Sequence, residues 1–214
     1  MDEIFHYPQF KQFLEGNHEF WDPKITTPPG LYHAQVYIIS KIFGSSLLGM
    51  RMGNWVVFGN IFTIFALKIY EFQDHNRNNS SRTLNLILTP TIFFFFFLDY
   101  TDSASIAFLT MALYYTLVKS TWRMGICSLL SVYMRQNNII WVAYFLVYRC
   151  IADYEENIMS FRGNLFRQLI LFISLMLRNL KSIITYNIGQ IMVLPVFFYY
   201  LHQYNEGKIL FGDH

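Results

Sequence analysis

Apolar stretches alternate with short polar turns along most of this chain. Only the last stretch without Asp, Glu, Lys or Arg reaches the roughly 20 residues that cross a bilayer squarely. The others become spans only if flanking side chains snorkel or neighbouring helices cover their ends. Their close succession is difficult to explain as a soluble helical core, so the pattern predicts an all-α fold, a polytopic transmembrane helical bundle. The stretches are residues 25–40, 52–67, 83–98, 103–118, 124–134, 136–148 and 182–201.

The polar turns between these stretches predict a topology. Lys and Arg concentrate in one set of loops, and the positive-inside tendency places that set in the cytosol. The cytosolic loops are then residues 71–83, 119–123 and 153–181, and the last is compatible with an interfacial helix. The lumenal segments are residues 1–51, 99–102, 135–137 and 203–214. The spans are expected at about residues 52–70, 84–98, 103–119, 124–134, 138–152 and 182–202.

Composition supports a membrane setting. Hydrophobic residues make up 54% of the 214 residues and charged residues only 14%, whereas a soluble domain carries about 25% charged residues. A net charge of +2, without a basic cluster beside stacking aromatics, argues against a nucleic-acid partner. Cys127 and Cys150 lie inside predicted spans and have no metal-ligand spacing, and we interpret them as packing residues.

Two N-x-[ST] acceptor sequences begin at Asn78 and Asn79. Both fall in a loop that the charge bias assigns to the cytosol, where N-glycans are not added. We therefore predict that both asparagines stay unmodified.

Four groups of polar residues fall on the predicted lumenal side and are candidates for a site. Each group also has an ordinary explanation, such as helix-start charge, a snorkelling Arg or an interfacial aromatic. No P-loop, GxGxxG, HExxH, GxSxG or Cys/His metal spacing is present, so nucleotide hydrolysis, hydride transfer, zinc proteolysis and triad hydrolysis have no support. The candidates are Asp2, Glu3 and His6; Trp21, Asp22 and Lys24; Asp99, Tyr100 and Asp102; and Arg135, Gln136, Asn137 and Asn138.

Four strings at these positions carry a resemblance to a known family. They are MDEIFHYPQ at residues 1–9, WDPKITTPPGLY at 21–32, LDYTDSAS at 98–105 and MRQNNIIW at 134–141. In order and spacing they resemble the motifs of the dolichyl-phosphate-glucose-dependent α-1,2-glucosyltransferase family, and GKILFGDH at 207–214 looks like the start of a further motif. Family members begin with a membrane helix before the first string and continue well beyond the last. The resemblance therefore implies the amino-terminal half of such an enzyme, without its first helix.

The resemblance implies a GT-C-type enzyme of the endoplasmic reticulum membrane with its active side in the lumen. Its donor would be dolichyl phosphate β-D-glucose and its acceptor the diglucosylated dolichol-linked oligosaccharide of the N-glycan precursor pathway. The product would be the terminal α-1,2-linked glucose, formed with inversion. No cofactor is implied, and a need for a divalent metal stays open. Residues 1–51 would be a lumenal catalytic-loop segment with juxtamembrane helices, 52–202 the transmembrane helical bundle, and 203–214 the start of the next lumenal loop.

The implied reaction needs one general base, because a departing phosphate is a weak base that needs no second carboxylic acid. By analogy with the first lumenal loop of other GT-C enzymes, Asp2 is the first candidate and Glu3 the second. His6, one helical turn along, could hydrogen-bond to Asp2 or to substrate. Arg135 and Lys24 are candidates for binding the phosphate. The remaining candidates for binding substrate are Trp21, Asp22, Tyr100, Asp102, Gln136 and Asn137.

Alternative functions stay open at this point. A related lumenal transferase could use another dolichyl-phosphate sugar, and the glycan that accumulates in deficient cells would distinguish it. A non-catalytic truncated membrane partner or channel-accessory protein would be favoured by rescue with neutral residues at positions 2 and 3. A transporter is disfavoured because intramembrane charge is sparse. The aromatic-rich stretches 93–98 and 196–200 could flank a groove that admits a lipid chain.

Overall fold

The computed structural model describes residues 3–74, 78–159 and 165–204, and these residues form helices connected by turns and by one longer loop, residues 15–29. No strand occurs in the described ranges, in agreement with the all-α prediction. The α-helices are α1 (Glu3–Leu14), α2 (Gly30–Ala34), α3 (Ser40–Phe43), α4 (Leu47–Gly53), α5 (Asn60–Gln73), α6 (Asn79–Ile87), α7 (Pro90–Phe96), α8 (Thr101–Leu117), α9 (Thr121–Met134), α10 (Asn138–Met159), α11 (Leu165–Arg178), α12 (Leu180–Ile191) and α13 (Val193–Tyr204).

Two segments of π-helix interrupt otherwise continuous helical runs. The first, π1 (Gln35–Ile39), joins α2 to α3, and the second, π2 (Asn54–Gly59), joins α4 to α5. The two runs approach closely, because a Cβ atom added at Gly53 would lie 2.1 Å from Cγ2 of Ile39. Short π-helical insertions are rare, and those that are present in proteins are frequently found at functional sites.

The predicted span over residues 84–98 is wrong as a single helix. Helix α6 ends at Ile87 and α7 begins at Pro90, because proline lacks the N–H that a continuing helix would need and fits the first helical position. Helix α7 then turns by 114° into α8. The predicted span over 182–202 is also divided, between α12 and α13, and Pro195 lies in the first turn of α13, where a missing N–H is tolerated.

Membrane character is confirmed, with fewer clear spans than the six predicted. Within the described ranges, the single run Leu47–Gln73 is long and apolar enough to cross a membrane by itself. Two bent pairs, Pro90–Phe96 with Thr101–Leu117 and Phe166–Arg178 with Leu180–Ile191, raise the number to three if each pair is one span. The other helices of the described ranges do not meet these requirements of length and apolar composition.

Helix α11 lies in the mixed segment that was compatible with an interfacial helix. Its apolar side chains recur at helical spacing and are exposed. Such a face suits a helix that lies in the membrane interface, which stays a prediction. The exposed residues are Phe166, Leu169, Ile170, Ile173 and Leu177.

Small residues allow two helices to cross with their backbones in contact. A Cβ atom at Gly125 of α9 would lie 2.4 Å from the carbonyl oxygen of Gly189 of α12. In a bilayer the hydrophobic effect does not drive helices together, so they associate through close packing of this kind, at small residues.

The largest hydrophobic core attaches the first 51 residues to the start of α8. Phe10 of α1, Tyr32 of α2 and Ile39 of π1 are fully buried in one cluster with Ala104 of α8. Burying an aromatic side chain of this kind stabilises the fold by about 2–3 kcal/mol. The core therefore holds the amino-terminal segment against the turn between α7 and α8, where the candidate site lies.

Candidate functional site

Asp99 lies at the centre of a buried polar cluster in the turn between α7 and α8. Its side chain is fully buried, and the amide groups of Gln35 and Asn54 point at its Oδ1 atom. Asn54 Nδ2 also donates to the Leu98 carbonyl oxygen at 3.0 Å. Gln35 and Asn54 are the first residues of π1 and π2. The two π-helical segments thus converge on one carboxyl group.

Glu3 is held next to Asp99 by three hydrogen bonds. Arg51 donates from Nε to Oε1 at 2.8 Å and from its terminal nitrogen to Oε2 at 2.6 Å, which is a bidentate ion pair. The backbone N–H of Asp99 donates to Oε1 at 2.8 Å. The hydrogen bonds from Arg51 are the largest cause that lowers the pKa of Glu3, so this carboxyl group stays ionised near neutral pH.

The Asp99 carboxyl group has the opposite electrostatic environment. Burial raises its pKa to about 7, and the negative charge of Glu3 adds to this rise, while the Gln35 amide, Arg51 and the Asn54 amide oppose it. Among the described residues, no hydrogen-bond partner reaches Asp99 Oδ2. Two neighbouring carboxyl groups whose pKa values are pushed apart are a recognised feature of acid–base sites.

An aromatic group extends from this cluster to α7. His6 of α1 is buried and its Nδ1 lies 2.5 Å from the Tyr32 hydroxyl oxygen. The rings of His6 and Tyr100 pack edge to face, with their centroids 5.2 Å apart. Tyr100 stacks on Phe95 at 5.8 Å. His6 and Tyr100, both sequence candidates, therefore lie beside the Glu3–Asp99 pair.

The segment from Trp21 to Gly30 is ordered by hydrogen bonds within it and to its neighbours. Trp21 Nε1 donates to the Ile25 carbonyl oxygen at 3.0 Å, and Asp22 Oδ1 accepts from the Lys24 backbone N–H at 2.9 Å. The Lys24 ammonium lies over the Phe5 ring, 4.8 Å from its centroid. Trp21, Asp22 and Lys24 thus shape the loop, and the Lys24 cation is exposed next to α1.

Arg135 and Asp102 form an ion pair at the edge of a separate cavity. The cavity has a volume of about 490 Å³ and is also lined by Asn137 and Asn138. Asn138 Nδ2 donates to the Ser105 hydroxyl at 2.7 Å and to the Ser131 carbonyl oxygen at 2.9 Å. A polar wall is therefore held in place on one side of this cavity.

Gln136, next in sequence, turns away from the cavity. Its amide donates to the Thr26 carbonyl oxygen and fastens the loop before α2 to the end of α9. It is buried, whereas the neighbouring Asn137 is exposed.

The sequence candidates thus fall into three places that adjoin one another. Glu3, His6 and Tyr100 surround Asp99; Asp102, Arg135 and Asn137 line the cavity; and Trp21, Asp22, Lys24 and Gln136 order the loop between them. Asp2, the first candidate for the base, lies outside the described residues. Within the described ranges, no group of three or more His, Cys, Asp or Glu side chains is placed to hold a metal ion.

Three residues of the cluster were missed as site candidates from the sequence. Gln35 and Asn54 stand inside apolar stretches, and Arg51 stands directly before one. Buried amides and charges in an apolar stretch are costly unless they have partners, which is a usable signal for a functional position. The partner of the two amides, Asp99, lies 64 residues from Gln35 and 45 from Asn54, a pairing that the spacing alone does not reveal.

Comparisons with known proteins identify relatives of this chain. The relatives include three proteins named Dol-P-Glc:Glc(2)Man(9)GlcNAc(2)-PP-Dol alpha-1,2-glucosyltransferase. The rat protein is 31% identical over 250 aligned positions, covering 100% of this chain and 52% of its own length. The Arabidopsis thaliana protein is 33% identical over 163 positions, 67% of this chain and 32% of its own length. The human protein is 36% identical over 164 positions, 67% of this chain and 34% of its own length.

The chain therefore spans between about a third and half of the length of these relatives. No solved structure matches it. The model of the DIE2/ALG10 family matches residues 1–214, the whole of the chain. The chain belongs to the DIE2/ALG10 family.

Proposed function

We propose that this chain takes part in transferring glucose from dolichyl phosphate β-D-glucose to the diglucosylated dolichol-linked oligosaccharide. The product is the terminal α-1,2-linked glucose, formed with inversion on the lumenal side of the endoplasmic reticulum membrane. The family match over residues 1–214 carries this proposal. The names of relatives that are 31–36% identical supply the donor and the acceptor.

An inverting transfer of this kind needs one carboxylate to take the proton of the acceptor hydroxyl, together with groups that stabilise the departing phosphate. Carboxylates and cations of this kind lie near one another in the candidate site. Glu3 and Asp99 are joined directly, and Asp102 lies close after Asp99 in sequence, in the first turn of α8. Arg135 is paired with Asp102.

In this proposal Asp2 is the base, and Glu3 orients the segment that carries it. Both carboxylate oxygens of Glu3 accept hydrogen bonds from Arg51, and one also accepts from Asp99. A carboxylate with a lowered pKa and occupied oxygens is a poor proton acceptor. The environment of Glu3 therefore supports a positioning role and leaves the proton transfer to its neighbour.

Asp99 contacts the Glu3–Arg51 pair and helps to hold it in place. Its backbone N–H donates a hydrogen bond to Glu3, and its carboxyl group accepts a hydrogen bond from the Gln35 amide. We propose that Asp99 is a positioning residue for the Glu3–Arg51 pair. His6, Tyr100 and Trp21 are the candidates for contact with sugar hydroxyl groups or ring faces, and Asp22 and Gln136 support the loop.

The phosphate of the donor is assigned to Arg135, with Lys24 as the second cation. Arg135 uses part of its guanidinium for Asp102 and keeps further N–H donors, because a guanidinium has five. Asn137 adds an exposed amide on the same cavity. Lys24 is exposed and would act as a point charge.

A transfer assay tests the proposed function. The full chain is expressed in cells that lack their own terminal glucosyl transfer, and the membranes are given dolichyl phosphate glucose and the diglucosylated lipid-linked acceptor. We expect one added glucose that an α-1,2-specific glucosidase removes. Dolichyl phosphate mannose and UDP-glucose serve as control donors and should give no product. Transfer from either control donor, or no transfer from any donor, would overturn the proposal.

A further inference from the structure

Two cavities adjoin each other between α8 and α10. The first is the cavity of about 490 Å³ beside Arg135 and Asp102. The second has a volume of about 360 Å³. Leu109 of α8 and Trp141 of α10 line both. The two cavities therefore form one groove, which we call the α8–α10 groove.

The chemistry of the groove changes from one end to the other. Its first cavity carries the Arg135–Asp102 ion pair and the amides of Asn137 and Asn138. Beyond Leu109 and Trp141, none of the described residues that line the groove is charged. The lining there consists of Leu113, Leu117, Tyr144, Phe145 and Tyr148, together with Thr110 and with Gln73 of α5.

The apolar part of the groove is open along an aromatic wall. Trp141 is 52% exposed, Tyr144 54% and Tyr148 41%. From Ser105 to Leu117, α8 rises by about 18 Å at 1.5 Å per residue. The groove is thus long enough for the first few units of an extended isoprenoid chain, and it is open to a lipid that enters sideways.

The geometry points to the α8–α10 groove as the binding site for the polyprenyl phosphate of the donor. The phosphate lies against the Arg135 guanidinium and the Asn137 amide, and the isoprenoid chain lies along Leu109, Trp141 and Tyr144. This inference rests on the proposed function and adds where the donor lipid binds. A ligand with one anionic end and one apolar chain matches both ends of the groove at once.

The polar end of the groove is connected to the carboxyl cluster. Phe95 lines the first cavity and stacks on Tyr100, and Tyr100 meets the His6 ring. A sugar attached to a phosphate at Arg135 would therefore extend toward Tyr100 and Glu3. This order of lipid, phosphate and sugar favours the donor over the acceptor as the occupant of the groove. The acceptor carries a diphosphate, and the one guanidinium that the described residues place at this end is already paired with Asp102.

Kinetics with donors of two chain lengths test the groove. Trp141→Ala removes an exposed ring from its middle, and Trp122→Ala, a ring on α9 that is 68% exposed and outside the groove, is the matched control. We expect Trp141→Ala to raise the KM for dolichyl phosphate glucose about tenfold, the loss of roughly 1.4 kcal/mol of contact. The KM for a two-isoprene donor should rise less, because its chain ends near Trp141 and contacts less of that ring. Trp122→Ala should change neither KM.

The kinetic outcomes separate the donor site from other possibilities. An unchanged KM for the long-chain donor in Trp141→Ala would overturn the inference. A higher KM for the acceptor instead of the donor would assign the groove to the acceptor lipid and also overturn it.

Photolabelling tests the groove independently of turnover. A benzophenone-bearing farnesyl phosphate should label peptides of α8 and α10. Excess dolichyl phosphate should compete for the groove and reduce this labelling. Labelling elsewhere, or equal displacement by phosphatidylcholine, would contradict the inference even if glucosyl transfer is observed. Labelling of the groove without any glucosyl transfer would instead contradict the proposed function and leave the lipid site in place.

Discussion

At the scale of single residues, the Asp99 carboxyl group is the least ordinary feature of the site. It is buried between two amides and the Glu3–Arg51 ion pair, and its raised pKa follows from burial and from the charge of Glu3. A buried carboxyl group of this kind makes the stability of the fold depend on pH.

Asp99→Asn should remove this dependence. The pKa of Asp99 is 3.8 in the unfolded chain and about 7 in the folded chain, so the folded chain keeps the proton to a higher pH. Between these values the folded state binds more protons, so its stability falls as pH rises through this window. The unfolding temperature of Asp99→Asn relative to the wild type should therefore rise from pH 5 to pH 7 and level off above it. A constant difference across this range would contradict the assignment.

Arg51→Gln tests the electrostatic coupling to Glu3. Arg51 lowers the pKa of Glu3, so its removal should raise that pKa. Because ionised Glu3 accepts the Asp99 N–H and so holds the segment that carries Asp2, this hold would be lost at a higher pH, and the acidic limb of the pH–rate profile should move to higher pH. Because the pair is partly exposed, we expect a stability loss of only about 1–2 kcal/mol. Arg51→Lys keeps the charge without the bidentate geometry and is the matched control, with a smaller displacement of the limb. A limb that stays in place in Arg51→Gln would mean that Glu3 ionisation does not govern the rate.

At the scale of helices, the two π-helical segments place the amides of the site. Gln35 and Asn54 would point elsewhere if the runs from Gly30 to Phe43 and from Leu47 to Gln73 were regular α-helices, because the wider π turn rotates the side chains that flank it. The close contact of Gly53 with Ile39 fixes the two segments against each other.

Gly53→Ala should therefore disturb the site through packing alone. The new Cβ atom would meet Ile39 Cγ2, and overpacking of this kind costs about 1–3 kcal/mol. Gly59→Ala, in the same continuous helical run, meets nothing closer than 3.5 Å and is the control. Thermal unfolding should show a clear loss for the first and little for the second, and the loss from Gly53→Ala should be smaller when it is introduced into an Ile39→Ala background. Equal stability of the two single variants would show that this contact is not tight.

At the scale of the whole molecule, the apolar pattern was sufficient to predict an all-α membrane fold. It was insufficient for the breaks, since Pro90 divides a stretch that hydropathy reads as continuous. The polar motifs gave Glu3, His6, Tyr100 and Arg135 as candidates, because charged and aromatic residues stand out between apolar stretches. The amides of Gln35 and Asn54 could not be identified in the same way, because their role depends on π-helical turns and on a partner far along the chain.

The topology makes a separate prediction for the acceptor sequences. Asn78 and Asn79 should carry no glycan, because the charge bias places their loop in the cytosol. Their amides also have local roles: Asn78 Oδ1 accepts from the Ser81 N–H at 3.3 Å, and Asn79 Nδ2 donates to the Asp74 carbonyl oxygen at 2.7 Å. Treatment with peptide N-glycosidase F should leave the mass of this segment unchanged. A glycan on either asparagine would reverse the proposed sidedness of the site.

The lipid-linked oligosaccharides of cells that lack terminal glucosyl transfer provide the most direct measurement of the central proposal. Expression of the full chain should convert the diglucosylated species to the triglucosylated one, and the same chain with Asp2→Asn should leave the diglucosylated species in place. Glu3→Gln should convert it slowly, since it weakens the anchor and leaves the base. Conversion by a chain that carries both Asp2→Asn and Glu3→Gln, or no conversion by the wild-type chain, would contradict the account.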